Sequence, residues 1–453
     1  MEEFSRKVFR ALDSIGHGPD MIRFRRKFWR YFPRHFNQTE GTEIGLSHMV
    51  VGSKAEGISS ALESDIDHMF LFSDVICANS LEPFYLVENI TLLQTDTSDT
   101  SPGYTKLRFI DCNGEMSVAL FHEQGDLADR QVLQDNYISS EKFLSFHYKG
   151  VRSVEPHHGM IRGLSGPAME SERFYKEDCV CALHCYCPHL LENWKRRPRQ
   201  YDWPSRDTLD TVASMFGQLV PVGFKGSGNQ RLEWRFCFIQ SELKLTLCLN
   251  ETQLKLYILL KMITKDILRS VCSTISSYIM KNITYWICEF LPPFVFTEKN
   301  LLTVLVLSLR FLKLSLEKGN FLPYYMIPDR NLLAERLTPK EYHGLADILD
   351  TLIQEGPRIV LRCKKLQCTL TCELQRQGIL WRYKKQRNLV EKMQLFRILL
   401  DKYDSYNAEI LDFLLGARLL NTVLPERRRL RNMGLSTREV DVIYRKRLST
   451  FLS

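Results

Sequence analysis

The sequence has no apolar run of membrane-spanning length. Its greasiest stretch, Leu301 to Leu316, is broken by Arg310 and Lys313 and falls short of the ~20 residues a span needs, so no membrane span is expected. The opening MEEFSRKVFR lacks an apolar stretch behind its charges, so no secretory signal is expected either. Without one, thirteen cysteines read as reduced thiols of a cytoplasmic chain. Glycine (23) and proline (17) are too sparse in 453 residues for a collagen-like or Pro/Gly-rich disordered chain, and there is no fixed-period repeat or low-complexity segment. Charge of one sign is also scarce: 61 Lys and Arg face 53 Asp and Glu, for a net +8, which permits a polyanionic partner without demanding one. What remains is a folded chain, 44% apolar with 26 Phe, too long for one compact core and expected to divide into two or three packed units.

Phe24, Phe28, Trp29 and Phe32 recur at helical spacing beside Arg23, Arg25, Arg26, Lys27 and Arg30. This predicts an amphipathic helix with an aromatic face and a basic face, stopped near Pro33. From Ser47 to about Leu183 the pattern changes to short β-rich runs such as SHMVVGS, DHMFLFS, FYLVENITLL, LRFIDC and MSVALF, with a loop over TDTSDTSPG. From Thr208 the chain is mostly helical, with periodic runs at 241–270, 276–290 and 300–318 and a cap at Gly319. Residues 338–453 are helical and basic.

The informative stretch is Met49 to Phe72, MVVGSKAEGISSALESDIDHMFLF. A β-rich run ends in Gly52-Ser53, and a second one begins with Asp65-Ile66-Asp67. On a strand, residues i and i+2 share a face, so both carboxylates would point the same way. Like charges held that close call for a divalent cation. Gly52 lets a phosphate approach the backbone, and Ser53 can hold it. Such a set suits nucleotidyl transfer with two Mg²⁺ ions. Taken singly, Asp-x-Asp and Gly-Ser also fit ordinary turns.

The segment resembles the polymerase-β-type nucleotidyltransferase core. More closely, the chain resembles the Mab-21-like family, which includes cyclic GMP–AMP synthase and the animal cGAS-like receptors. The resemblance runs from about residue 40 to 337. It is carried further by Asp178-Cys179-Val180-Cys181-Ala182-Leu183-His184, Trp194, Arg197, Arg199, Trp203-Pro204-Ser205, Val220-Pro221-Val222-Gly223, Leu232-Glu233-Trp234-Arg235, Ser276-Ser277-Tyr278, Lys281, Trp286, Glu289 and Phe321-Leu322-Pro323-Tyr324-Tyr325.

The resemblance implies an α+β fold with three parts. Residues 1–205 would be a nucleotidyltransferase core built on a mixed sheet with an N-terminal spine helix. Residues 206–337 would be an all-helical Mab-21-type lobe completing the cleft, and 338–453 a basic accessory region. It further implies Asp65, Asp67 and Asp178 as catalytic metal ligands for two Mg²⁺ (or Mn²⁺) ions. Gly52, Ser53, Arg235, Lys261, Ser277 and Tyr278 would bind nucleotide. The substrates would be nucleoside triphosphates such as ATP and GTP, joined into a cyclic dinucleotide in innate immune signalling.

Two departures stand out. Family members often read Trp-Arg-x-Ser-Phe-Ser, whereas this chain has Trp234-Arg235-Phe236-Cys237-Phe238-Ile239, losing two hydroxyls. The zinc thumb of the vertebrate synthase has no counterpart between the Trp-Arg strand and the Lys261 helix, where Cys248 stands alone. Cys179, Cys181, His184, Cys185, Cys187 and His189 have spacings that fit buried thiols better than the Cys-x2-Cys of structural zinc. By the same resemblance, Arg23, Arg25, Arg26, Lys27 and Arg30 would meet a double-stranded nucleic acid. RNA is favoured over DNA, and the basic segments 358–392 and 427–447 would assist. The competing readings are a catalytically silent scaffold and a nucleotidyltransferase acting on an RNA end.

Overall fold

The computed structural model of the protein describes residues 1–403 except 40, 42–44, 114–132, 135, 154–159, 173–174, 335–336 and 376–378. The MSVALF run and the basic stretch 427–447 lie outside the described residues. The architecture is α+β. Eleven described strands form one mixed sheet, in the order β1-β2-β3-β4-β11-β10-β9-β8-β7, where β4 is Tyr104–Asn113, β7 Met160–Ser165 and β8 Ala168–Glu172; β5 (Leu133–Gln134) and β6 (Tyr137–Ile138) lie off this path. The site strands are β1 (Leu46–Val51), β2 (Ile66–Ala78), β9 (Lys176–Tyr186), β10 (Gly217–Val220) and β11 (Glu233–Cys237). β2 pairs in parallel with both β3 (Ile90–Asp96) and β9. The pairings β2–β3–β4–β11–β10–β9–β2 therefore close a ring, and the sheet curls on itself. Strands β10 and β11 lie beyond residue 205, so the expected boundary there cuts through the sheet.

The N-terminal segment is two helices, α1 (Glu2–Leu12) and α2 (Pro19–Tyr31). The break falls at Gly16, whose φ of +94° suits only glycine, and Pro19 starts the second helix. The run expected as one helix over 241–270 is also two, α3 (Ile239–Leu247) and α4 (Glu251–Asp266). Asn250 and Gln253 exchange side-chain-to-backbone bonds of 2.9 and 2.8 Å, a capping box that starts α4 afresh. Helices α5 (Ser277–Phe290) and α6 (Leu301–Glu317) follow as expected. Beyond them lie α7 (Pro339–Glu355) and α8 (Ile379–Tyr403).

One contiguous apolar core runs from Val8 and Leu12 through Val75 and Leu183 of the sheet to Leu259, Leu305, Leu345 and Leu366. The segments read from sequence as separate units therefore share a core. Several family-like residues serve this union. Arg197 and Arg199 both bond the buried Glu289 of α5, at 2.7 and 3.1 Å, and Tyr325 donates to the same carboxylate at 2.7 Å. That fixes the segment after β9 against the helices.

Cys181, Cys185 and Cys187 are buried, as is Cys77, and burial pushes the Cys181 thiol up to about 12. A thiol reagent applied to the native protein is expected to label Cys248, Cys368 and Cys372, which are exposed. It should spare those four until denaturant is added; labelling of Cys185 or Cys187 at the rate of Cys248 would contradict this packing.

Candidate active site

The cleft is built on the pairing of β2 with β9. Their parallel register sets Asp67 directly against Asp178, and the β1–β2 register sets Asp67 against Val51. The chain leaves β1 at Val51 into a single helical turn, Gly52–Ala55. Gly52 has φ +62°, and a Cβ there would collide with Asp67 Oδ2. Glycine is thus required twice, for the backbone conformation and for the approach to the carboxylate. Gly52→Ala is expected to destabilise the fold by about 1–3 kcal/mol. Chemical denaturation measures it, and an unchanged stability would contradict the close approach to Asp67.

Asp67 is strongly perturbed by its surroundings. Burial, with the charges of Asp178 and Asp65, raises its carboxyl to about 7. Burial, with Asp65 and Glu170, raises Asp178 too. Asp65 is exposed and precedes the strand, which starts at Ile66. The expectation that Asp65 and Asp67 share one strand face is corrected accordingly. Among the described residues, no three His, Cys, Asp or Glu side chains close on a metal site.

The donor set nevertheless fits a hard divalent cation. Asp67 and Asp178 are neighbouring carboxylates whose charges oppose one another's ionisation, and a cation would relieve that. Mg²⁺ completes its shell with water and phosphate oxygens, so it does not need an all-protein cage.

Around this pair lies a cleft of about 790 Å³, lined by Gly52, Ser53, Asp67, Asp178, Arg235, Ser277 and Tyr278. Such a volume accommodates nucleotide-sized ligands. Seven of the expected site residues therefore meet. Asp65 and Lys261 stand off its wall. Lys261, on α4, donates to Ser59 Oγ, which donates to Ser53 Oγ at 2.9 Å, so its link to the Gly52-Ser53 turn is indirect. Burial lowers the Lys261 ammonium, against the raising effect of Glu63, Glu56 and Asp67.

The basic helix face divides. Arg23, Lys27 and Arg30 are exposed, with Arg23 bonded to Asp20 at 2.5 Å. Arg26 and Arg30 line the cleft. Arg25 is wholly buried and paired with Glu391 at 2.6 Å. Its assignment to a nucleic-acid surface is corrected, because α8 covers that side of α2.

Beneath the cleft lies a polar network that sequence reasoning missed. Glu242 of α3 accepts from the Tyr278 and Tyr324 hydroxyls at 2.9 and 2.7 Å and pairs with Lys281. Lys281 also reaches Glu56 at 3.2 Å, and Glu56 accepts from Tyr257 at 3.2 Å. Two carboxylates hold the Lys281 ammonium well above its ordinary value despite burial. The Tyr278 ring is thereby fixed at the cleft wall by its hydroxyl. Its sequence signals were Glu242, Lys281 and Tyr324 at positions that the folded chain buries.

The cleft lies where a curled mixed sheet bearing paired carboxylates meets a helical lobe. Residues 253–351 match the family model of the Mab-21 protein HhH/H2TH-like domain. Over these residues the helical lobe is therefore similar to the Mab-21 C-terminal domain. The matched region includes most of α4, α5 and α6 and runs into α7, past the expected limit at 337. No helix among the described residues is long and apolar enough to cross a membrane.

Proposed function

We infer that the protein is a divalent-cation-dependent nucleotidyltransferase that joins nucleoside triphosphates into a cyclic dinucleotide. The observation that carries this reading is the Asp67–Asp178 pair facing Gly52 and Ser53 within one cleft. Gly52 and Ser53 bind the outer phosphates, with Lys261 steadying Ser53 through Ser59. Arg235 balances phosphate charge, and the fixed face of Tyr278 stacks on a base. Asp67 and Asp178 would hold Mg²⁺ or Mn²⁺, with Asp65 near the same charge; bound there, the cation neutralises the triphosphate and acidifies the attacking hydroxyl. The site residues align that hydroxyl in line with the α-phosphorus, and pyrophosphate leaves. Activation by a duplex, with RNA favoured, would fall to the exposed Arg23, Lys27 and Arg30.

A second reading, a catalytically silent scaffold, draws on Cys237 and Ile239 at the cleft wall and on three carboxylates that do not close on one point. One assay separates them. The protein is incubated with labelled ATP, GTP, CTP and UTP, with Mg²⁺ or Mn²⁺, and with or without duplex RNA or DNA. A phosphatase-resistant small product that is lost in Asp67→Asn/Asp178→Asn is the expected result. Absence of product under every condition selects the scaffold, and an elongated RNA selects an RNA-end transferase.

A further inference from the structure

Helix α8, near the end of the described chain, reaches the loop between Gly52-Ser53 and Asp67 through one carboxylate. Glu391 is wholly buried. Its Oε1 accepts from Arg25 Nε at 2.6 Å and from the Ala61 backbone N–H at 3.1 Å. Its Oε2 accepts from Arg25 Nη2 and Arg387 Nη1, both at 2.7 Å. Four donors on two oxygens saturate the carboxylate.

The same loop is held from other sides. Arg25 Nη1 donates to the Gly57 carbonyl at 3.0 Å, and Arg26 Nε to the Glu56 carbonyl at 2.9 Å. Lys54 Nζ donates to the Ala61 carbonyl at 2.8 Å, so residue 61 is bonded through both of its backbone groups. Gly57, at φ +75°, lies so close to α2 that a Cβ would come within 2.7 Å of the Ile22 carbonyl oxygen. Gly16 at the α1–α2 break is the seat of the Arg387 guanidinium, which a side chain there would strike. A second tether runs from Gln394 to the Tyr175 hydroxyl at 3.2 Å, one residue before the strand that carries Asp178.

A buried ion pair contributes little beyond well-packed apolar groups. One that takes a loop amide as a further partner fixes a position.

We propose that Glu391 is a positioning residue, through which α8 clamps the loop carrying Ser53 onto α2 and so sets the phosphate cradle against Asp67. Only its kinetic consequence rests on the nucleotidyltransferase reading; the clamp itself is tested without turnover. Hydrogen exchange is followed on the full chain in wild type, Glu391→Ala and Glu391→Gln. In Glu391→Ala, amides 57–64 are expected to exchange at least about tenfold faster, with the β2 and β9 amides unchanged. Glu391→Gln falls between, because an amide oxygen still accepts from Ala61. Unchanged exchange over 57–64 in both variants overturns the proposal. If Glu391→Ala loses protection throughout, Glu391→Gln decides: acceleration confined to the loop sustains the clamp, and uniform acceleration overturns it. With nucleotide turnover as a second readout, Glu391→Gln should lower kcat more than it raises KM. No product from the wild type, together with faster loop exchange in the Glu391 variants, sinks the nucleotidyltransferase reading and leaves the clamp standing.

Discussion

Asp67→Asn is expected to flatten the pH dependence of stability between about pH 4 and 7 and to abolish product formation. The folded carboxyl sits at about 7 against an ordinary 3.8, so the folded state binds this proton more tightly than the unfolded state. Its favourable contribution is complete below pH 3.8, is lost as pH rises towards 7, and is gone above that. Three pH units at roughly 1.4 kcal/mol each set a ceiling of about 4 kcal/mol, and partial solvation of the group should leave about 2–3. Asparagine has no such titration. Urea melts at half-unit pH intervals, without divalent cation, should therefore show the wild type losing stability relative to the variant as pH rises. Mg²⁺ added at pH 7.5 should raise the Tm of the wild type and leave that of Asp67→Asn nearly unmoved. Parallel stability profiles for the two proteins, or equal responses to Mg²⁺, would rule out Asp67 as a raised acid able to hold a cation.

Glu242→Ala is expected to cost about 3–5 kcal/mol of stability. It removes the acceptor of the Tyr278 and Tyr324 hydroxyls and one of the two carboxylates that hold Lys281. Each buried hydroxyl left without a partner contributes about 1–3 kcal/mol to that loss. Glu242→Gln should cost less, since its amide oxygen still accepts. The double variant Glu242→Ala/Lys281→Met should lose less than the sum of the two single losses, because the Lys281–Glu242 pair is already broken in either one. Chemical denaturation of the two single variants and the double variant measures the coupling. A Glu242→Ala loss under about 1 kcal/mol, or strict additivity, would show that the network does not hold the cleft floor.

The local pattern made the core of the site legible, because its parts are close in sequence. Gly52, Ser53 and Asp67 lie within one hairpin-like stretch, and strand periodicity orients them. Asp178 needed the resemblance, since nothing local says which strand will lie beside β2. Residues whose meaning depends on distant partners were misread or missed. Arg25 looks like its basic neighbours until Glu391, 366 residues away, is placed over it. Glu56, Glu242 and Lys281 belong to three different elements, and no spacing rule connects them. The break before α4 was visible in principle as Asn250-x-x-Gln253, but apolar periodicity on both sides masked it. The boundary expected at 205 failed for a related reason: β10 and β11 are short strands among helices, and their place in the sheet is set by pairing with β9 and β4.

The pairing of Arg25 with Glu391 also bears on how the chain is made. A ribosome adding 5–20 residues per second needs roughly 20–70 s to cover the 366 residues between them. Throughout that time the guanidinium destined for a sealed interior has no counter-ion, and α2 cannot bury that face cheaply. The buried face of α2 is therefore completed only after residue 391 has been made. A nascent chain stopped before residue 391 leaves the Arg25 guanidinium of α2 without the carboxylate that seals it.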